Sequence, residues 1–369
     1  MACETFENPG PVPGTRREHV VCRFGAAGAR PKAFIQASTH ADELAAILCA
    51  DHLRRLLEEA DAAGRIRGEV VLVPAANPAG LAQVALGHHV GRYHLPSGRN
   101  FNRAWPDGTP EVMARRQEFG ADAAENGRRV REIVGRWLEG REARGEDAAH
   151  KLFLMKLAHD ADLVLDLHTD LDSELHLYID PDHWPGLADL AGLLDARVVM
   201  LARHSGGAPF EESVAAPFIA LREAGVAVDL PVTVTVELRG RQDVSDELAA
   251  RDAAALFDFL VLRGVISGEA SAPAFSGVAA PLEATAHVFA PEGGVIVYRR
   301  ELGARVEAGE VIAEILDPFT GRRVPARTPA SGRLFTRNLS RLAQAGDSIA
   351  KVQGETPLSD RRKGALMLD

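Results

Sequence analysis

The sequence predicts an α/β fold, with a mixed, mostly parallel central sheet and helices on both faces, followed by a small all-β, barrel-like domain. Apolar, strand-like runs alternate with helix-period segments from about residue 20 to residue 265, and this alternation is typical of parallel sheets covered by helices. After Gly268 a stretch rich in Pro and Gly leads into a two-fold internal repeat. We therefore predict one domain over residues 1–268 and a second over residues 269–369.

The strands of the first domain are predicted from short apolar runs that are β-branched or rich in Leu, at residues 33–38, 69–74, 162–167 and 232–236. Helices are predicted where apolar positions recur at helical spacing or Arg and Glu alternate at that spacing, at residues 42–60, 111–142 and 248–262. Residues 80–110 are rich in Gly, Pro, Arg and His without clear periodicity. We interpret them as a long functional loop.

The second domain is predicted from its repeat. The octapeptide AGEVIAEI at residues 308–315 is echoed by AGDSIAKV at residues 345–352, and PEGG at residues 291–294 is echoed more loosely by PASG at residues 329–332. Short strands with glycine turns, repeated twice, indicate a β module made of two similar halves.

Composition excludes several functional classes. The 369 residues carry 42 Lys and Arg against 52 Asp and Glu, a formal charge of −10, whereas nucleic-acid binders usually present a basic face. No apolar run reaches the roughly 18 residues of a membrane span, and the amino-terminal residues show no secretory pattern. Three scattered cysteines favour neither a disulfide framework nor a cysteine metal site. We expect a cytoplasmic protein that acts on a small molecule, and a homo-oligomer is left open.

Three predicted strand ends carry metal-binding or acid–base side chains. His40 and Glu43 lie between the strand at residues 33–38 and the helix that follows, and their spacing places them on one side of a helical turn. His168 follows the strand at residues 162–167, and Glu237 follows the strand at residues 232–236. Sites of open α/β sheets lie beyond the carboxyl ends of the strands. We therefore predict one Zn²⁺ per chain, held by His40, Glu43 and His168, with Glu237 free to act as a base on a metal-bound water.

Neighbouring residues could support this site. Asp166 shares a strand face with His168, so it either orients an imidazole or caps nearby backbone. The loop at residues 80–110 supplies Arg92, Arg99 and Arg103, which are placed to bind a carboxylate or a developing oxyanion. The loop at residues 204–212 is either a cover that touches the substrate or a plain turn that starts a helix.

The order of these motifs resembles the succinylglutamate desuccinylase/aspartoacylase family, which is related to the zinc carboxypeptidases. The likeness covers roughly residues 15–265 and is carried by HADE at 40–43, NP at 77–78, GRY at 91–93, RNFNR at 99–103, DLHT at 166–169 and VELRG at 236–240. The C-terminal repeat fits the small β domain of that family.

The resemblance implies zinc held by His40, Glu43 and His168, with Glu237 as general base and proton shuttle. It also implies Asn102 and Arg103 as contacts for a substrate carboxylate, and Arg92 as the oxyanion arginine. The chain departs from the family at one position. Asn100 stands where the family usually has an Asp that orients a zinc histidine, so Asp166 or another group must take that role.

The predicted reaction is zinc-dependent hydrolysis of the amide bond in a small N-acylated amino acid or a related compound, giving a carboxylate and a free amine. The alternatives are a zinc carboxypeptidase acting on peptide C-termini and a non-catalytic binding protein on the same fold. The acyl group stays open. Candidates for contacting a second substrate carboxylate are Arg99, Arg203, Arg239 and Arg241, whereas Asp170, Asp172 and Glu174 would suit an ectoine-type diamino acid derivative.

Overall fold

The computed structural model describes residues 2–10 and 12–359. The helices, besides 3₁₀ turns at Arg116–Glu118 and Leu282–Ala284, are α1 (Leu44–Ala62), α2 (Pro78–Leu81), α3 (Thr109–Ala114), α4 (Ala123–Glu139), α5 (Glu146–Ala158), α6 (Ala188–Leu193), α7 (Phe210–Glu223) and α8 (Asp246–Leu262). None of the helices in these ranges has the length and apolar character that a membrane span requires.

The strands up to residue 240 are β1 (Ala2–Pro9), β2 (Arg16–Gly25), β3 (Lys32–Ala37), β4 (Glu69–Val73), β5 (Val84–Ala85), β6 (His88–His89), β7 (Tyr93–His94), β8 (Arg99–Asn100), β9 (Leu163–Asp170), β10 (Asp172–Ser173), β11 (His176–Ile179), β12 (Val198–Leu201) and β13 (Val232–Gly240). The later strands are β14 (Val278–Pro281), β15 (Thr285–Phe289), β16 (Gly294–Tyr298), β17 (Arg305–Val306), β18 (Val311–Leu316), β19 (Arg323–Arg327), β20 (Gly332–Arg337), β21 (Leu342–Ala343) and β22 (Ser348–Gln353).

The chain folds into two compact units whose segments alternate along the sequence. The first unit comprises residues 1–168, 207–235 and 244–272, and the second comprises residues 169–206, 236–243 and 273–369. Two strands, β9 and β13, begin in the first unit and end in the second. The division into domains at residue 268 stays a prediction.

The first unit contains a mixed sheet with the strand order β1-β2-β4-β3-β9-β13. The pairs β1–β2 and β2–β4 are antiparallel, whereas β3 runs parallel to both β4 and β9. Every residue of β3 and β4 is buried, which explains why most of their residues are apolar, because central parallel strands are covered on both faces. In the second unit, β11, β12 and β14 are also parallel. The predicted α/β fold with a mixed, mostly parallel sheet is confirmed.

Helix α1 illustrates how the pattern of apolar residues fixes the packing. Its buried face includes Cys49, Leu53 and Leu57, which recur at the spacing of an amphipathic helix. This helix packs against α8. Ser245 caps the start of α8: its hydroxyl accepts a hydrogen bond from the backbone N–H of Leu248 at 3.3 Å and so satisfies one of the free donors at the helix start.

The single long helix expected at residues 111–142 is wrong. The chain forms α3, a 3₁₀ turn and α4, with a break around Gly120. At the break, the side chain of Asn126 bonds to both the N–H and the carbonyl of Gly120, and Asp122 caps α4 by accepting from the N–H of Glu125 at 2.9 Å. Side chains that bond to backbone groups in this way compete with a continuous helix.

The C-terminal part of the second unit is all-β but not a barrel. Its strands form two open antiparallel sheets, one ordered β10-β20-β22-β15 with β17 beside β20, and one ordered β19-β18-β16-β21. The barrel-like closure that we expected is absent from the described residues, because the edge strands of these sheets do not pair with each other. Side chains such as Val288, Ile312, Ile315 and Val352 form a buried core.

The repeat in the sequence corresponds to equivalent strand pairs. In the first copy β16 pairs with β18, and in the second copy β20 pairs with β22, both antiparallel. The two pairs lie in different sheets. Each copy therefore forms a two-stranded unit and needs additional strands to complete its sheet.

A disulfide joins Cys3 and Cys22, and the spacing of the cysteines did not predict it. The two residues are direct partners in the antiparallel register of β1 and β2. Such partners lie close enough for their sulfur atoms to bond. Cys49 is free and buried in α1.

Candidate metal centre

The three predicted metal ligands meet at one edge of the sheet in the first unit. His40 and Glu43 lie between β3 and α1, and His168 lies in β9. Since β3 and β9 are parallel, with Ala37 opposite Leu167, the residues that follow these positions meet at the carboxyl end of the pair. Among the described residues, His40, Glu43 and His168 form the group whose side chains are placed to hold a metal ion.

Both imidazoles point the same ring nitrogen at one carboxylate. The Nδ1 atom of His40 lies 3.0 Å from Oε1 of Glu43, and the Nδ1 atom of His168 lies 2.8 Å from Oε2. All three side chains are buried, with relative exposures of 4%, 1% and 1% for His40, Glu43 and His168. One donor atom from each residue lies within 4.8 Å of the other two. The arrangement offers two imidazole nitrogens and one carboxylate oxygen to a single ion.

The outer nitrogen of His40, which is the Nε2 atom that points away from Glu43, forms a hydrogen bond with Asn100. Its Nε2 atom lies 2.9 Å from Oδ1 of Asn100, and the backbone N–H of Asn102 donates to the same oxygen at 2.8 Å. The N–H of Asn102 identifies the oxygen of the amide, so His40 must donate from Nε2. Its Nδ1 then carries the lone pair that a metal needs. Asn100 itself therefore supplies the acceptor that orients His40.

The outer nitrogen of His168 faces a carboxylate. Its Nε2 atom lies 2.8 Å from Oδ2 of Asp166, and the other oxygen of Asp166 accepts a hydrogen bond from Nε2 of Gln36 at 3.0 Å. A carboxylate at Nε2 keeps the proton on that nitrogen and leaves Nδ1 towards Glu43. The predicted orienting role of Asp166 fits this contact better than a backbone cap.

The electrostatics of the cluster follow from its burial and its charges. Burial, followed by the positive charge of Arg92, lowers the pKa of His40. Although burial favours the neutral acid, His40 and His168 hold the pKa of Glu43 well below its usual value. Burial also opposes a charged His168, but Asp166 and Glu43 together raise its pKa well above the ordinary value. Two buried carboxylates thus surround His168 with negative potential, which stabilises a cation at this position.

Arg92 lies at the rim of the cluster. Its Nη1 atom is 3.2 Å from Nδ1 of His40 and 3.6 Å from Oε1 of Glu43, and its side chain is 30% exposed. The preceding Gly91 brings the loop against the start of the HADE segment, since a Cβ atom there would lie 2.2 Å from the backbone nitrogen of Asp42. A glycine is required for this approach, which places the positive charge of Arg92 beside the metal ligands.

Asn102 and Arg103 are partly engaged in the fold itself. The Oδ1 atom of Asn102 accepts from Nε1 of Trp105 at 2.9 Å and from the N–H of Phe210 at 2.8 Å, while its Nδ2 atom lies 3.3 Å from Nε2 of His168. Arg103 occupies the space where a Cβ atom of Gly207 would lie. These contacts place Asn102 beside the cluster and Arg103 against Gly207, and their roles in binding substrate stay predictions.

The other candidates belong to the second unit. Glu237 lies half-buried in β13, and its role as a base stays a prediction. Arg203 pairs with Asp180 at 3.0 Å and with Asp182 at 2.6 Å. The three acidic candidates are compensated by basic partners: Lys351 lies 2.7 Å from Asp170, Arg337 lies 3.0 Å from Asp172, and Arg333 lies 2.6 Å from Glu174. An acidic pocket for a diamino substrate therefore has little support from these residues.

Sequence reasoning missed several supporting residues. Gln36 is a fully buried amide that directly follows the apolar residues 33–35 of β3, and this polar interruption was the one available signal. Trp105 and Phe210 support Asn102 from distant parts of the chain. Glu211, in the first turn of α7, is buried, and burial, followed by the charges of Glu212 and Asp166, raises its pKa to about 8. The loop at residues 204–212 thus ends in a helix start with a buried carboxyl.

Comparisons with known proteins agree with these observations. A sequence model of the succinylglutamate desuccinylase/aspartoacylase catalytic domain matches residues 29–263. None of the curated proteins matches the sequence.

Solved structures share the fold over nearly the whole chain. A succinylglutamate desuccinylase/aspartoacylase family protein from Shewanella amazonensis has a TM-score of 0.82 at 24% identity and covers 95% of this chain and 98% of its own. A similar protein from Shewanella frigidimarina has a TM-score of 0.81 at 24% identity, with the same coverage. The product-bound ectoine utilization protein EutE (DoeB) from Ruegeria pomeroyi has a TM-score of 0.65 at 20% identity, covering 95% of this chain and 94% of its own. At sequence identities of 20–24%, the structural similarity to these proteins establishes the fold of this chain.

Proposed function

Because the chain belongs to the succinylglutamate desuccinylase/aspartoacylase family of hydrolytic deacylases, we propose that it hydrolyses, with one zinc ion, the amide bond of a small N-acylated amino acid or related compound. The products are a carboxylate and a free amine. The observation that carries this proposal is the convergence of Nδ1 of His40 and Nδ1 of His168 on the two oxygens of Glu43.

The residues fit zinc in composition and in protonation. Two imidazoles and one carboxylate are the protein ligands of many catalytic zinc sites, which keep a further position open. Both outer nitrogens face oxygen acceptors, Asn100 for His40 and Asp166 for His168, so both Nδ1 atoms are available to a metal. When bound, zinc lowers the pKa of a coordinated water towards about 7 and polarises the scissile carbonyl.

The remaining roles belong to side chains of the protein. Arg92 places a guanidinium beside the metal ligands, where it would donate to the carbonyl oxygen as negative charge develops on it. The VELRG motif supports Glu237 as the group that removes the proton from the attacking water and delivers it to the departing amine. Asn102 and Arg103 are the proposed contacts for a carboxylate of the substrate.

A metal analysis combined with a substrate screen tests this function. We expect about one zinc per chain in the wild type, a large loss of zinc in His168→Ala, and wild-type content in His88→Ala, because His88 is exposed in β6. The zinc-loaded protein is screened against N-acetyl-, N-succinyl- and N-formyl-amino acids. An N-acetylated diamino acid is included, since one structural neighbour serves ectoine utilization.

Two results would contradict the proposal. A wild-type protein without tightly bound metal would remove the zinc site, and release of C-terminal residues from peptides without deacylation would favour a carboxypeptidase. If His88→Ala loses as much zinc as His168→Ala, the loss of zinc reflects disruption of the fold and not the removal of a metal ligand.

A further inference from the structure

A cavity of about 480 Å³ lies in the first unit. Its walls come from β8 and the segment that follows it, from the start of α3, from the end of α4 and the residues just beyond it, and from the first turns of α5. The residues that decide its chemistry are Arg99, Trp105, Trp137, Arg141, Asp147 and Lys151. None of the three metal ligands lines it. The volume falls in the range of about 300–1,000 Å³ that is typical of small-molecule sites.

The cavity is apolar on one side. The ring of Trp105 is buried, with a relative exposure of 6%, and packs against Phe210. Its Nε1 donates to Asn102 at 2.9 Å, so the part of the ring that lines the cavity is apolar. Trp137, Pro106 and Pro110 also line the cavity. Aromatic and proline rings form a wall that favours a ligand with an apolar body.

The acidic groups of the wall are engaged by the protein. The carboxylate of Asp147 lies 2.9 Å from the ammonium of Lys151, and Glu111 pairs with Arg115 at 2.9 Å. Asp107 accepts a hydrogen bond from the backbone N–H of Thr109 at 2.8 Å. These partners reduce the negative potential that the carboxylates would otherwise direct into the cavity.

The basic groups are engaged less completely. Within residues 2–10 and 12–359, neither Arg99 nor Arg141 forms an ion pair with a carboxylate; the guanidinium of Arg141 instead stacks on Trp137, 4.6 Å from the ring centroid. Lys151 is buried, with a side-chain exposure of 3%. Burial lowers the pKa of Lys151, Asp147 opposes that shift, and the positive charge of Arg99 adds to it. Arg99 and Lys151 both line the cavity and are near enough for their charges to interact.

We propose that this cavity is a second binding site, for a small monocarboxylate with an apolar body. Arg99 and Arg141 hold the carboxylate, since guanidinium groups bind carboxylates through paired N–H donors, and the rings of Trp105 and Trp137 cover the apolar body. The proposal assigns Arg99, which we predicted as a substrate contact, to this site instead. The proposal does not rest on the proposed hydrolysis, because none of the lining residues is a metal ligand or the proposed base Glu237.

Calorimetric titration of the full-length protein with benzoate tests the site. We expect saturable binding of one benzoate per chain, while benzamide, which keeps the ring and lacks the charge, and acetate, which keeps the charge and lacks the ring, bind at least about tenfold more weakly. Two of the three tryptophans line the cavity, so quenching of tryptophan fluorescence by benzoate gives an independent measure of binding. This quenching should persist in Trp184→Phe, because Trp184 does not line the cavity.

Charge variants identify the location. Arg99→Gln combined with Arg141→Gln is expected to weaken benzoate binding by at least about tenfold, whereas Arg144→Gln, an exposed arginine near Arg141 that does not line the cavity, leaves it unchanged. Circular dichroism and thermal unfolding of each variant confirm that it is folded. Binding that is unchanged in the double variant, or no saturable binding up to about 10 mM benzoate, would overturn the proposal.

Removal of the metal distinguishes benzoate binding in this cavity from benzoate binding at the metal centre. Benzoate binding should be the same before and after treatment of the wild type with a chelator. Binding that disappears with the metal would assign benzoate to the metal centre and would also overturn the proposal, without affecting the proposed hydrolysis.

Discussion

The hydrogen bond between His40 and Asn100 should control metal affinity. In Asn100→Ala the Nε2–H of a buried imidazole loses its acceptor. The proton can then move to Nδ1, where Oε1 of Glu43 lies 3.0 Å away and accepts it. Metal binding must break this new bond, because the same Nδ1 lone pair is needed as a ligand.

The size of the effect follows from that competition. A hydrogen bond to a charged group contributes about 1.5–3 kcal/mol, which corresponds to about a 10- to 150-fold loss of zinc affinity. Loss of partners to metal-binding imidazoles typically costs about 10- to 100-fold. Asn100→Asp keeps an oxygen acceptor at this position, so it should bind zinc at least as tightly as the wild type.

Competition with a chromogenic chelator measures these affinities. Asn338→Ala serves as the control, since Asn338 belongs to a turn of the second unit. If Asn100→Ala binds zinc within about threefold of the wild type, the proposed orientation of His40 by Asn100 is refuted. An equal loss in Asn100→Ala and Asn100→Asp would also refute it, because the aspartate retains the acceptor.

Three further predictions concern catalysis and stability. Glu237→Gln should keep its zinc and lose nearly all turnover, as single-turnover and metal assays would show; wild-type-like turnover would remove Glu237 from the mechanism. Arg92→Gln should lower kcat by about 10²–10³ while KM changes little, and steady-state kinetics giving an unchanged kcat would exclude an oxyanion role. Because burial raises the pKa of Glu211 from 4.5 to about 8, the folded protein retains a proton there that the unfolded chain has lost. The contribution of Glu211 to the free energy of unfolding is therefore fully present below pH 4.5. It declines by about 1.4 kcal/mol per pH unit between pH 4.5 and about pH 8. In urea unfolding, the free energy of unfolding of Glu211→Gln should increase relative to that of the wild type as the pH rises. If the two free energies differ by the same amount at pH 5 and at pH 8, Glu211 does not titrate in this range.

The helix expected at residues 111–142 shows where local patterns mislead. Its Arg and Glu residues recur at helical spacing, but Asn126 and Asp122 bond to backbone groups near Gly120 and divide the segment. Side-chain bonds to the backbone depend on three-dimensional placement, so periodicity alone did not reveal them. The disulfide between Cys3 and Cys22 is a similar case, because it depends on the register of β1 and β2.

The sequence by itself determined the parallel strands and the three ligand types at their ends, because apolar runs form buried strands and the carboxyl ends of parallel strands meet at one edge. Only the tertiary structure decided how those ligands are oriented. Asn100 and Asp166 face the outer nitrogens of the two imidazoles, and Arg99 lines a separate cavity. These outcomes depend on the directions in which side chains point and on contacts between distant segments, and residue spacing along the chain specifies neither.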